Sequence, residues 1–255
     1  MVFPGAATCF RSAVTGGSLG RAGWPGRGGV TGDYELIIFD WDGTLADSAG
    51  DFVGALQQAI QDTGLPERSP AQLRELIGLG ITDIMNRLWP ELDSGRVRQR
   101  LAGYRARYGW PRGQARLFDS VPATLARLDA AGYVLAVATG KSRRGLDRAM
   151  AQTECRAWFR ITRCADESAP KPAPNLIDDI LLRTATEPHR ALMVGDTEYD
   201  MVMARQAGVD RVAVGSGVHD AARLERAGAM GVIAGVGALP AWLGLASSPG
   251  DDDTS

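Results

Sequence analysis

The stretch that most limits the possible folds is Tyr34-Glu35-Leu36-Ile37-Ile38-Phe39, followed at once by Asp40-Trp41-Asp42-Gly43-Thr44. A short apolar run closed by a polar and glycine cluster reads as a buried strand that delivers a loop. In extended backbone, residues i and i+2 point the same way, so Asp40 and Asp42 face one cavity. Two ionised carboxylates that close repel, and one pKa must rise unless a cation compensates. Gly43 lets the backbone leave the strand sharply, and Thr44 brings a hydroxyl and an amide to the same spot. An ordinary strand-end turn explains Asp-Gly but gives no reason for the second carboxylate.

Beyond this loop the chain changes character twice. Over 49–116 apolar positions recur at helical spacing, with helices expected over 52–60, from Ser69-Pro70 to 77, over 81–88 and over 97–108. No strand is evident there, so this is an all-helical insert. From Val121 onward helices and strands alternate: helix 122–131, strand 133–138, and helix 143–152 capped by Ser142. Helix 174–183, strand 191–194 and helix 199–207 follow, then strands near 212–214 and 231–234 around helix 221–226. Such alternation means a Rossmann-like α/β core with a parallel sheet, whose ligand site lies at the C-terminal strand ends.

Three later segments fall at those strand ends. Thr139-Gly140-Lys141 offers a hydroxyl and free amides where a strand gives way to a helix, which suits an anionic phosphoryl group. A P-loop is excluded, because Leu135 stands where its first glycine belongs. Gly78-Leu79-Gly80 is no dinucleotide fingerprint either, since position 83 is Asp and no strand precedes it. Lys171-Pro172 precedes a helix; Lys141 and Lys171 are the only two lysines in a chain that otherwise chooses arginine. An ammonium is a compact point charge where a guanidinium would be too large. Gly195-Asp196-Thr197-Glu198-Tyr199-Asp200 ends an apolar strand, and its two aspartates, four apart at a helix start, can share a face. A helix-dipole role alone would explain acidic residues there.

These four segments, in this order, resemble the motifs of the haloacid dehalogenase superfamily over roughly residues 34–240. The arrangement is most similar to phosphoglycolate phosphatase-like members. The resemblance implies a core over 34–48 and 117–246 with an inserted C1-type helical cap over 49–116. It implies Asp40 as nucleophile, Asp42 as general acid/base, and Thr139 and Lys171 as phosphoryl ligands. Gly43, Thr44, Gly140 and Lys141 then belong to the substrate site. Asp40, Asp42 (through its carbonyl), Asp196 and Asp200 are expected to hold or support Mg²⁺. The substrate implied is a small-molecule phosphate ester. Arg74 and the stretch 76–82 are candidates to reach its leaving group. Asn175 departs from the family's usual aspartate, a change expected to touch only helix capping.

Three rivals share the scaffold. A dehalogenase would lack the second aspartate. A sugar-phosphate mutase would carry His and Lys in its cap, and 49–116 contains neither. A non-catalytic binding module would have lost one of Asp40, Asp42, Lys171 or Asp196.

Composition sets outer bounds. A net charge of −2 gives no case for nucleic acid or an anionic membrane surface, and no apolar stretch reaches membrane-span length. Three unpaired-looking cysteines favour a reducing, cytoplasmic setting, and two isolated histidines argue against zinc. Residues 1–33 are rich in Gly, Arg and Ala with one acid, Asp33, and disorder is expected there. An organellar leader and a translation start near Val30 both fit that segment. A frayed tail is expected over 247–255, and oligomeric state is not legible.

Overall fold

The computed structural model describes residues 33–93 and 115–245, with residues 95 and 99 besides. The chain enters through β1 (Leu36–Phe39) and then forms α1 (Ala49–Thr63), α2 (Pro70–Arg74) and α3 (Ile81–Leu88). It continues through α4 (Val121–Ala130), β2 (Val134–Thr139), α5 (Arg143–Thr153), β3 (Ile161–Cys164), α6 (Asn175–Thr184) and β4 (Ala191–Gly195). The last elements are α7 (Glu198–Gln206), β5 (Asp210–Val214), α8 (Ala221–Arg226), β6 (Val232–Ile233) and α9 (Leu239–Trp242).

The strands form one parallel sheet in the order β3-β2-β1-β4-β5-β6. β1 is central, with Phe39 opposite Val137 of β2 on one side and Val194 of β4 on the other. The chain builds outward through β2 and β3, then crosses back to add β4, β5 and β6. Strand order therefore reverses between β1 and β4, and the carboxyl ends at such a reversal open a crevice.

Side-chain alternation divides the core in two. Ile37, Phe39, Leu135, Val137, Leu192 and Val194 pack on one face with Leu125 of α4 and Leu146 of α5. Leu36, Ile38, Ala136, Ala138, Ala191 and Met193 face the other way, onto Ile177 of α6 and Met203 of α7. A strand buried on both faces has no polar side to show, which is why β1 reads as an unbroken apolar run.

The helices α1 to α3 carry an apolar cluster of their own, including Leu56, Ile60, Leu73, Ile84, Leu88 and Trp89. α1 ends on Gly64, in the left-handed region at φ 62°. A Ser69–Gln72 capping box with Pro70 in the first turn opens α2. α2 stops at Arg74, short of the expected 77, because the chain tightens into turns through Leu76 and Leu79 and Gly78 takes φ 94°.

One element goes beyond the sequence reading and one expectation is corrected. β3 was not anticipated: Ile161-Thr162-Arg163-Cys164 is a four-residue edge strand without an apolar run. Asn175 does not cap α6; Pro174 occupies that position and no side chain caps it. Ser142 caps α5 as read, accepting from the Gly145 N–H at 3.3 Å. The expected helix over 97–108, residue 99 excepted, and both chain ends fall outside the described residues. No described helix is long and apolar enough to cross a membrane.

Ile38 has no exposed surface and lies on the central strand. Ile38→Ala removes three carbons from a packed interior, and is expected to cost ~3 kcal/mol of unfolding free energy in urea titrations at unchanged slope.

Candidate active site

The backbone beyond β1 is shaped before any side chain acts. The Asp40 N–H donates to the Val194 carbonyl at 2.9 Å, so Asp40 still runs alongside β4. The Leu45 and Ala46 N–H groups then both donate to the Trp41 carbonyl, and the Gly43 N–H donates to that of Ala46. Gly43 takes φ 83°, and a Cβ there would stand 2.2 Å from Oδ2 of Asp196. Conformation and space both demand glycine.

Four of the expected residues meet at this point. Lys171, fully buried, donates from Nζ to Oδ1 of Asp40 and to Oδ1 of Asp200, each at 2.6 Å. Oxygens of Asp40, Asp196 and Asp200 lie within 4.8 Å of one another, and all three residues are buried. Asp200 is the third residue of α7, and its Oδ2 also accepts from the N–H and hydroxyl of Thr197 in a capping box. The Thr44 hydroxyl donates to Oδ1 of Asp196 at 2.9 Å. Thr44 therefore orients an acid.

Electrostatics follows from the count of charges. Three carboxylates stand against one ammonium, all of them buried where the field is poorly screened. Burial, with Asp200 and Asp42 adding to it and Lys171 opposing, pushes the Asp40 pKa up to about 7. Burial and then the Asp40 and Asp200 charges raise Asp196 well above the usual carboxylate range. For Lys171 burial works against the ammonium, but the two carboxylates overcome it and raise its pKa. Oδ2 of Asp40 is buried without a hydrogen-bond partner. Clustered hard oxygens, excess negative charge and an orphaned carboxylate oxygen fit a divalent cation of the Mg²⁺ type.

Asp42 stands apart from this cluster. Its Oδ1 accepts from the Lys141 ammonium at 2.8 Å and from the Ser48 hydroxyl. Ser48 occupies the capping position of α1 but makes no cap there, because its hydroxyl goes to Asp42. Thr139 ends β2 fully buried, and its Oγ1 accepts from the Lys141 N–H at 3.2 Å. Arg74 is exposed and lines a groove with Val53 and Gln57 of α1, so it joins none of these contacts.

Sequence reasoning missed Ser48 and the loop after β5. In that loop the Val218 N–H donates to Oδ2 of Asp196 at 3.0 Å, and the His219 N–H to the Asp196 carbonyl at 3.3 Å. A Cβ on Gly217 would stand 2.1 Å from Asp196 Oδ2. The available signal was Gly215-Ser216-Gly217 directly after a strand, a glycine spacing that marks close backbone approach.

A proton held on Asp40 up to about pH 7 must leave when a cation arrives. The gain in melting temperature from MgCl₂ is therefore expected to be larger at about pH 8 than at about pH 5.5; equal gains would contradict it. Without the cation, native Asp40 keeps a proton that the unfolded chain releases. Its contribution to stability thus declines as pH rises from the ordinary carboxylate value towards about 7.

The sequence model described as haloacid dehalogenase-like hydrolase matches residues 37–214. The chain is 32% identical over 224 residues to "Probable phosphatase IndB" of Dickeya dadantii, spanning 84% of this chain and 97% of that protein. It is 31% identical over 199 residues to the phosphoglycolate phosphatase of Agrobacterium fabrum, spanning 74% and 84% respectively. In fold it is similar to a hydrolase from Pseudomonas syringae, with TM-score 0.75 and 24% identity over 84% of this chain and all of that one. With its sheet order, its strand-end aspartates and these relatives in agreement, the chain belongs to the haloacid dehalogenase-like hydrolase family.

Proposed function

We propose that this protein is a Mg²⁺-dependent phosphatase that hydrolyses a small phosphate monoester through an aspartyl-phosphate on Asp40. The observation that carries the reading is the state of the Asp40 carboxylate. One oxygen is held by Lys171 at 2.6 Å, and the other is buried and unpartnered. Asp40 attacks phosphorus, and the bond from phosphorus to the leaving oxygen breaks as the new P–O bond forms. Asp42 gives its proton to the leaving alkoxide, then takes one from the water that attacks the phosphoryl group. The P–O bond to Asp40 breaks in that second displacement, and phosphate leaves with both aspartates restored.

Lys141 and Ser48 both bind Oδ1 of Asp42, which leaves Oδ2 for the proton transfers. Lys171, with Thr139, Gly140 and the Gly43 turn, is suited to the phosphoryl oxygens, and Asp200 holds the Lys171 ammonium in place. Asp40, the Asp42 carbonyl and Asp196 would hold Mg²⁺, with Asp200 supporting, and the ion would screen the repulsion between carboxylate and phosphate. The helices α1 to α3 serve as the cap. A phosphoglycolate-like substrate is favoured by the Agrobacterium fabrum relative. A cytoplasmic setting accords with Cys155 and Cys164, buried free thiols.

Asp40→Asn is expected to lower phosphate release by at least ~10³-fold, and Asp42→Asn by ~10²–10⁴-fold. Release from a panel of metabolite phosphates, with EDTA and then with MgCl₂ restored, checks both. Turnover that survives in Asp40→Asn, or that ignores EDTA, would defeat the scheme.

A further inference from the structure

A turn and a residue of the helical insert make contacts with the core that bear on the site. The turn Gly78-Leu79-Gly80 lies against two of the four strand-end segments and against Pro170, the residue before a third. A Cβ on Gly140 would stand 2.4 Å from the Gly78 carbonyl oxygen and 2.9 Å from that of Leu79. A Cβ on Gly78 would meet the Thr197 side chain at 3.3 Å, and one on Gly80 would meet Pro170 at 3.1 Å. These contacts place two carbonyl-bearing residues as a ceiling over the Thr139–Lys141 turn, beside the ammonium that binds Asp42.

The residue is Glu75, which follows α2 and leads into that turn. Its carbonyl accepts from the Tyr199 hydroxyl at 3.2 Å and faces Nε2 of His219 at 3.5 Å. The His219 tautomer is set by its other nitrogen: the Glu198 N–H at the start of α7 donates to Nδ1 at 2.9 Å. A nitrogen that accepts carries no proton, so the hydrogen sits on Nε2 and points to Glu75. The Glu75 carboxylate pairs with Arg223 of α8, whose other arm holds Glu198 at 2.8 Å. Tyr199 itself reaches into the insert's apolar cluster, and Arg87 of α3 donates to its hydroxyl at 3.2 Å and stacks 5.2 Å from its ring.

We propose that Glu75 is the seat by which the insert is clamped to the core. Tyr199, His219 and Arg223 are positioning residues whose grip on it sets the height of the Gly78–Leu79 ceiling, and hence the largest leaving group the enzyme accepts. The inference rests on the phosphatase reading and adds the device that limits substrate size. It also joins the ceiling to the acid cluster, because the backbone of His219 holds the Asp196 carbonyl while its ring faces Glu75.

The test uses the purified full chain with MgCl₂ and two esters, phosphoglycolate and the bulkier p-nitrophenyl phosphate. Tyr199→Phe removes one hydroxyl and keeps the ring; Arg223→Ala removes the charge pair. In the double variant kcat/KM for p-nitrophenyl phosphate is expected to rise about tenfold, while that for phosphoglycolate falls. A merely structural role would lower both. Folded protein in which p-nitrophenyl phosphate hydrolysis falls or stays level would overturn the clamp, and Arg223→Ala alone serves if the double variant does not fold. Wild-type enzyme active only on p-nitrophenyl phosphate would refute the phosphoglycolate assignment and leave the expected rise to decide the clamp. A wild type inactive on both esters and on the whole panel of metabolite phosphates would refute the phosphatase chemistry and the clamp together.

Discussion

Lys171 and the acids around it are the contact on which the remaining architecture depends. An ammonium with no exposed surface lies 2.6 Å from two carboxylates, and a third carboxylate shares their space. An arrangement like this is unfavourable in isolation, since burial costs each charge its hydration and the negative charges repel. It persists because a packed sheet and several backbone donors over-determine it. Asp196 is held by the Thr44 hydroxyl and two N–H groups of the loop after β5, and Asp200 is locked into the capping box of α7. Those supports cost stability that a purely apolar centre would not, and a cation would recover it. The geometry makes sense as a site that is completed on binding.

The topology explains why the acids converge. With β1 central and strand order reversing beside it, the loops after β1, β2 and β4 open at one edge of the sheet. Parallel strands put all their carboxyl ends on the same side, so residues more than a hundred positions apart in sequence become neighbours. Close approach then demands glycine. Gly43 and Gly217 bring backbone within a Cβ's reach of Asp196, and Gly140 does the same beneath the insert. The insert adds the fourth wall and carries its own apolar cluster, into which Tyr199 of the core projects.

Much of this was legible from patterns of a few residues. β1, β2 and β4 are buried on both faces, so their composition alone marks them, and the polar clusters at their ends mark the loops. β3 is hard to read because a four-residue edge strand with alternating burial and an arginine has no long apolar run, although Ile161 and Thr162 favour a strand. α2 was read three residues too long because Leu76 and Ile77 fit a helical spacing that Gly78 interrupts. Thr44 and Ser48 were hardest to assign. A hydroxyl near an active loop can bind substrate, cap a helix or orient a neighbour, and only the position of its partner decides among them.

What the amino-acid sequence determined alone is the strand-and-loop grammar: an apolar run, two aspartates at i and i+2, a second strand-end hydroxyl, one lysine and a later pair of aspartates. Those follow from local steric and periodic rules, which act within a few residues. Which oxygen each group would face was decided only by tertiary structure. The pairing of Lys141 with Asp42, the turning of Thr44 towards Asp196 and the grip of Tyr199, His219 and Arg223 on Glu75 all join distant segments. Their energies depend on distance and burial, quantities that come into being when the sheet assembles and water is excluded from its edge.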